Sequence, residues 1–234
     1  MKNKTYLKII IFIVATILSY IYYEEDINKH ITKGETVSYE IENIPEYTGD
    51  PYIIINNNEP IFAENELTTD SFELYGELDE FGRATSTYAN IGLDSMPKEE
   101  RGSIGMIKPS GWHTVKYDIV SGKYLYNRCH LIGYQLTGES ANVNNLITCT
   151  RQMNIGVMLE YENKVAEYIK ETNNHVLYRA IPIYYNDNLL ASGVHMQALS
   201  VEDNGNGIKF NIYIYNVQDG IEINYQTGES KLKD

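Results

Sequence analysis

Tyr124-Leu125-Tyr126-Asn127-Arg128-Cys129-His130 is a strand-like run that ends on a histidine near the middle of a 234-residue chain. Two asparagine-bearing segments follow: Asn145 opens Asn-Leu-Ile-Thr-Cys-Thr-Arg, and Asn154 stands nine residues beyond it. Glu162 lies eight residues further on, inside a helical pattern. A base, a neutral oxygen ligand and a carboxylate within 33 residues are the ingredients of metal-assisted phosphodiester hydrolysis.

Around this stretch the pattern reads as α+β with a mainly antiparallel sheet. Leu159, Tyr161, Val165, Tyr168 and Ile169 recur at spacings of three and four, which predicts a helix over 159–173, closed by Asn173-Asn174. Glu162 falls just off that stripe, at the rim of whatever the helix packs on. Beyond it, residues 176–185, 189–199 and 208–217 are rich in β-branched and aromatic side chains. Asn186-Asp187-Asn188 and Asp203-Asn204-Gly205-Asn206-Gly207 separate them as turns. Upstream, 52–55 and 60–62 read as strand pieces around Asn56-Asn57-Asn58. Residues 103–112 read as an irregular surface segment. Residues 113–120 read as a strand, with the run ending at His130 as its antiparallel partner across Ser121-Gly122.

The N-terminal part has a different character. Lys2, Lys4 and Lys8 precede an uncharged run over 9–23, which is the layout of an export signal or a membrane anchor. As a helix that run spans about 22 Å, less than the roughly 30 Å hydrocarbon core, and its tyrosines suit the interface. Both readings place the remainder outside the cytoplasm, exported or on the cell surface. Residues 24–50 are acidic and aperiodic, as in a tether. The domain is expected over 51–226 and a frayed tail over 227–234.

A net charge of −13 argues against a broadly nucleic-acid-binding surface. The charge is unevenly placed. Residues 24–110 hold 19 acidic and 6 basic side chains, whereas 111–180 hold 6 and 7. A local electropositive groove on an acidic body follows. The two cysteines, Cys129 and Cys149, fit either a disulfide or a pair of buried thiols.

In their order, Asn127-Arg128-Cys129-His130-Leu131-Ile132-Gly133, Asn145-Leu146-Ile147-Thr148, Asn154 and Glu162-Asn163 resemble the DNA/RNA non-specific endonucleases, which are ββα-metal or His-metal finger nucleases. Leu78-Asp79-Glu80-Phe81-Gly82-Arg83-Ala84 is similar to that family's substrate-side arginine segment. The likeness runs over about 52–225 and is strongest to secreted or cell-associated Gram-positive enzymes. It implies a ββα-metal finger packed against the sheet, with His130 as general base and Asn154 as direct ligand of Mg²⁺, for which Mn²⁺ could substitute. Glu162 would hold a water of the ion, and Asn145 would support the site. Arg128 and Arg83 would contact phosphate. Arg151, between the two asparagines, is a further candidate for phosphate or for an acidic partner. DNA and RNA are the implied substrates, cut to leave 5′-phosphate ends. An inhibitor protein and, through an uncleaved leader, the membrane are possible partners.

The family's commonest form is Asp-Arg-Gly-His. Here Asn127 replaces the acid and Cys129 the glycine, which predicts altered tuning of the site rather than lost activity. The departure also motivates the alternative of a membrane-anchored nucleic-acid-binding module without turnover. Each residue has an ordinary reading as well. His130 would be a strand-end histidine, Asn154 a helix cap and Arg83 a surface arginine, while Glu162 would be a solvated carboxylate with Glu160 as its rival.

Overall fold

Alternation along two strands sets the architecture. In β8 (Gly193–Ser200), Val194, Met196 and Ala198 face one side, while His195 and Gln197 face the other. In β9 (Lys209–Tyr215), Phe210, Ile212 and Ile214 alternate in the same way with Asn211, Tyr213 and Tyr215. These two strands lie near the middle of a seven-stranded sheet of order β1-β2-β9-β8-β7-β4-β3. Its other members are β1 (Ser38–Tyr39), β2 (Tyr52–Ile55), β3 (Phe72–Tyr75), β4 (Thr87–Ile91) and β7 (Val176–Ile183). All neighbours are antiparallel except β1 and β2. The computed structural model describes residues 38–233, so the leader and the first part of the expected tether lie outside the described residues. No helix among the described residues is long and apolar enough to cross a membrane.

The apolar face is covered by α3 (Leu159–Thr172) through Val165, Ala166 and Ile169, and by a separate hairpin of β5 (Tyr126–His130) and β6 (Leu146–Thr150). The short helices α1 (Tyr134–Thr137) and α2 (Arg151–Met153) flank that hairpin. Helix α3 ends where its spacing predicts, with Asn173 in the left-handed region at φ 60°.

The opposite face carries buried polar side chains that a long loop satisfies. Ile61 N–H donates to Gln197 Oε1 at 2.7 Å, Asn211 Nδ2 donates to the Glu59 carbonyl at 2.7 Å, and His195 Nε2 pairs with Asn211 Oδ1 at 2.6 Å. The loop leaves β2 through three consecutive left-handed asparagines, Asn56, Asn57 and Asn58, a conformation asparagine tolerates better than most residues. Residues 60–62 are therefore cover rather than strand.

Three other expectations differ from the structure. Residues 113–120 form turns with one isolated bridge, Lys116 to Tyr124, and the partner of β5 is β6, with His130 opposite Leu146. The alternating apolar pattern of 113–120 instead serves a satellite cluster, in which Val115, Tyr117 and Trp112 pack around Leu125 and Tyr126. The domain reaches back to Ser38, because β1 pairs with β2 and Ile41, Ile44 and Tyr47 pack on the sheet edge. The tail is folded too, since β10 (Ile221–Ile223) and β11 (Ser230–Leu232) make a hairpin.

Candidate active site

The hairpin places His130 at the end of β5, and the turn after it is held by the residue just before β6. The buried Asn145 side chain clamps the Ile132 peptide from both sides. Its Oδ1 accepts from Ile132 N–H at 2.9 Å and its Nδ2 donates to the Ile132 carbonyl at 3.0 Å. Behind the hairpin, Cys129 and Cys149 are joined as a disulfide, with Cα atoms 5.9 Å apart. The structure thus selects the bridge from the two readings of the cysteines.

His130 is 6% exposed. Its Nε2 lies 2.8 Å from the Ser140 carbonyl, which can only accept, so Nε2 carries the proton and Nδ1 the lone pair. Nδ1 faces Nη2 of Arg101 at 3.2 Å. Burial pulls the imidazole pKa down to about 4, with the Arg101 charge adding to the effect and the Ser140 carbonyl opposing it. The neutral ring is therefore the form present at pH 7.

A groove of about 690 Å³ opens in front of His130, with Arg101, Arg128, Arg151, Asn154 and Glu162 among its walls. Glu162 projects from α3 and is 8% exposed, with neither a hydrogen bond nor an ion pair among the described residues. Burial pushes its pKa up to about 8, against the pull of Arg101. Glu160, its rival in the sequence, points outward and pairs with Lys164 at 2.7 Å. Room for the Glu162 carboxylate comes from Gly133, where a Cβ would stand 2.6 Å from Oε2.

Asn154 begins a π-helical segment, Asn154–Met158, that is inserted between α2 and α3 and broken at Gly156. Such insertions are frequent at functional sites because they re-aim side chains within a helix. The helix entry is capped by Thr150, whose Oγ1 accepts from Met153 N–H at 3.1 Å. That leaves Asn154 without a capping role, and its carboxamide has no partner among the described residues.

The arginines divide. Arg128 stacks on Trp112, with its guanidinium carbon 3.9 Å from the ring centroid. It also donates to the carbonyls of Ile107 and Gly105, strapping the irregular segment to the groove wall. Arg151 lines the groove with its Nε buried and unpartnered. Arg83 is not brought to this groove. It is buried against Asp79 at 2.6 Å, the carbonyls of Asn186 and Asn188, and the rings of Phe81 and Tyr184. Composition gave no sign of Arg101, Trp112 or Ser140. Gly133 had one, as the glycine three residues after the histidine.

Oxygen donors without protein partners, set beside a neutral imidazole, form a donor set for a hard divalent cation that keeps most of its waters. Among the described residues no group of three or more His, Cys, Asp or Glu is placed to hold a metal ion.

A family model for the DNA/RNA non-specific endonucleases matches residues 59–202. A deoxyribonuclease of Streptococcus dysgalactiae subsp. equisimilis is 36% identical over 110 residues, which are 45% of this chain and 32% of that protein. The match thus spans about a third of that relative's length. NucA from Streptococcus agalactiae, solved with no metal bound, superposes with a TM-score of 0.70 at 25% identity, covering 82% of this chain and 92% of that one. The Sda1 nuclease, solved with a bound zinc ion, gives a TM-score of 0.61 at 30% identity over 70% of this chain and 80% of that one. The sheet, hairpin and helix are those of a nuclease fold of the NucA kind. The chain belongs to the DNA/RNA non-specific endonuclease family.

Proposed function

We propose that this chain is an exported, Mg²⁺-dependent endonuclease that hydrolyses the phosphodiester bonds of DNA and RNA without sugar specificity. The observation that carries the reading is His130, buried and neutral, with its tautomer set by the Ser140 carbonyl and its lone-pair nitrogen turned to a groove that also holds Asn154 and Glu162. In the reaction, Nδ1 of His130 takes a proton from water as the water oxygen attacks phosphorus. The bond to the 3′ oxygen breaks, that oxygen takes a proton from solvent water to become a 3′-hydroxyl, and the other fragment carries a 5′-phosphate. A bound divalent cation supplies neutralisation of charge on the phosphoryl group and the departing oxygen. Asn154 and Glu162 are the residues that would hold it. Mg²⁺ is the favoured ion for this oxygen donor set, and NucA has also been solved with a magnesium ion bound.

Asn145 acts by fixing the turn after His130, and Arg151 and Arg128 supply positive charge to the substrate path. Groove-lining donors of Asn127, Trp112 and Arg151 are buried without acceptors, which suits a ligand rich in oxygen acceptors. Contacts of this kind carry no base information, which accounts for non-specific cutting. Arg83, held away from the groove, contributes as a brace of the 79–83 turn. Export is supported by the basic-then-apolar sequence of the first 23 residues and by the Cys129–Cys149 bridge, which fits an oxidising compartment.

Plasmid nicking tests this reading. Supercoiled DNA should be cut with Mg²⁺ and spared with EDTA. His130→Ala should lose about 10²- to 10⁴-fold in rate while still binding DNA. DNA that is bound but left intact by the wild-type protein across several metals and pH values would mean a binding module of the same fold.

A further inference from the structure

Arg101 has no part in the chemistry above, yet its guanidinium stands against the lone-pair nitrogen of the base. Because Nε2 of His130 donates to Ser140, Nδ1 is an acceptor and Arg101 Nη2, 3.2 Å away, is its donor. The electron pair that must take a proton from water is thus already engaged. The same guanidinium lines the groove with Asn154 and Glu162, close enough for its charge to act on the carboxylate. Arg101 is itself exposed and belongs to an irregular stretch rather than to a helix or strand. Three contacts pin that stretch around it: Tyr134 hydroxyl to the Glu99 carbonyl at 2.6 Å, Ser140 Oγ to the Gly102 carbonyl at 3.5 Å, and Arg128 Nη2 to the Gly105 carbonyl at 2.8 Å. All three hold backbone and leave the Arg101 side chain able to turn away.

We propose that Arg101 is the resident cation of this site, a latch that caps the lone pair of His130 until a divalent ion displaces it. The proposal rests on the reading of His130 as base and of Asn154 and Glu162 as the cation's donors. Its physical basis is simple. Arg128 is held by Trp112 and two carbonyls, whereas the Arg101 guanidinium stands against the imidazole itself, so a divalent ion arriving beside His130 and Glu162 repels it and favours the rotamer that releases Nδ1. Ion binding and exposure of the base are then one event, and the base is available only when the ion is in place. Arg101 is accordingly a positioning residue that acts through His130.

The test uses the full chain as wild type, Arg101→Met and Arg101→Lys. Two measurements are made: Mg²⁺ affinity by calorimetry, and the rate at which diethyl pyrocarbonate modifies His130 in EDTA, read by mass spectrometry. Arg101→Met should bind Mg²⁺ about tenfold more tightly and expose His130 to several-fold faster modification, with Arg101→Lys between the two. An unchanged modification rate overturns the latch whatever the nuclease activity. Unchanged or weaker Mg²⁺ binding by Arg101→Met also overturns it, because Arg101 would then not compete with the ion. A wild-type chain that neither nicks DNA nor binds Mg²⁺ refutes the functional reading instead, and the modification rates still decide whether Arg101 caps His130.

Discussion

Glu162 and His130 are both buried, and burial moves them in opposite directions. The imidazole becomes a weaker proton acceptor that stays neutral, while the carboxyl, pushed up to about 8, resists ionisation unless a cation is near. For Glu162 the folded value lies above the unfolded value of about 4.3. Its contribution to stability is therefore complete below about pH 4 and is lost as pH rises through about 8. A cation held by the carboxylate reverses that loss. Mg²⁺ should accordingly raise Tm more at about pH 8 than at about pH 5.5, and Glu162→Gln should flatten the difference. A wild-type Mg²⁺ increment that is equal at the two pH values would remove Glu162 from the cation's surroundings. At this scale the sequence showed which residue types were present but not their roles. Asn154 and Arg83 have equally plain side chains, and only packing shows one without a partner at the groove and the other enclosed by Asp79 and two carbonyls.

The hairpin of β5 and β6 turns a list of residues into a site, and Asn145 is its fastener. Asn145→Ala would leave the N–H and carbonyl of Ile132 buried and unpaired, at a cost of about 3 kcal/mol. The loosened turn should also cut the nicking rate while leaving Mg²⁺ affinity nearly unchanged, because Asn154 and Glu162 stand on the other element. Urea denaturation and calorimetry on the same variant separate the two effects. An unaltered midpoint would show that the clamp is dispensable. Helix α3 was legible because spacings of three and four over fourteen residues leave few alternatives. The pairing of β5 was not. Alternation shows that a segment is strand-like but not which segment it pairs with, and 113–120 offered an equally good local pattern. The π-helical segment left no compositional mark, since it comes from one surplus residue in the turn rather than from residue type.

Across the whole molecule the disulfide ties the hairpin together from within the core. Both cysteines are fully buried, and the closed loop spans 20 residues, so Cys129→Ala/Cys149→Ala should lower the unfolding free energy by about 3 kcal/mol in urea titrations. A midpoint identical to that of the oxidised wild type would assign the stability to the sheet alone. The antiparallel α+β class and the three long strands β7, β8 and β9 were readable, because their turns are rich in Asn, Asp and Gly. The start at Ser38 and the folded end were not, since two- and three-residue strands carry too short a pattern to register against acidic, polar surroundings. That folded end has a temporal consequence. The hydroxyl of Tyr126, the first residue of β5, donates to the Gly228 carbonyl at 2.8 Å, and Thr150, at the far end of β6, is held by Asn216 and Val217. The groove therefore lacks its supports until those late residues have been synthesised. In order of synthesis the hairpin comes before the residues that brace it, so the finished groove forms only after residues up to Gly228 have left the ribosome.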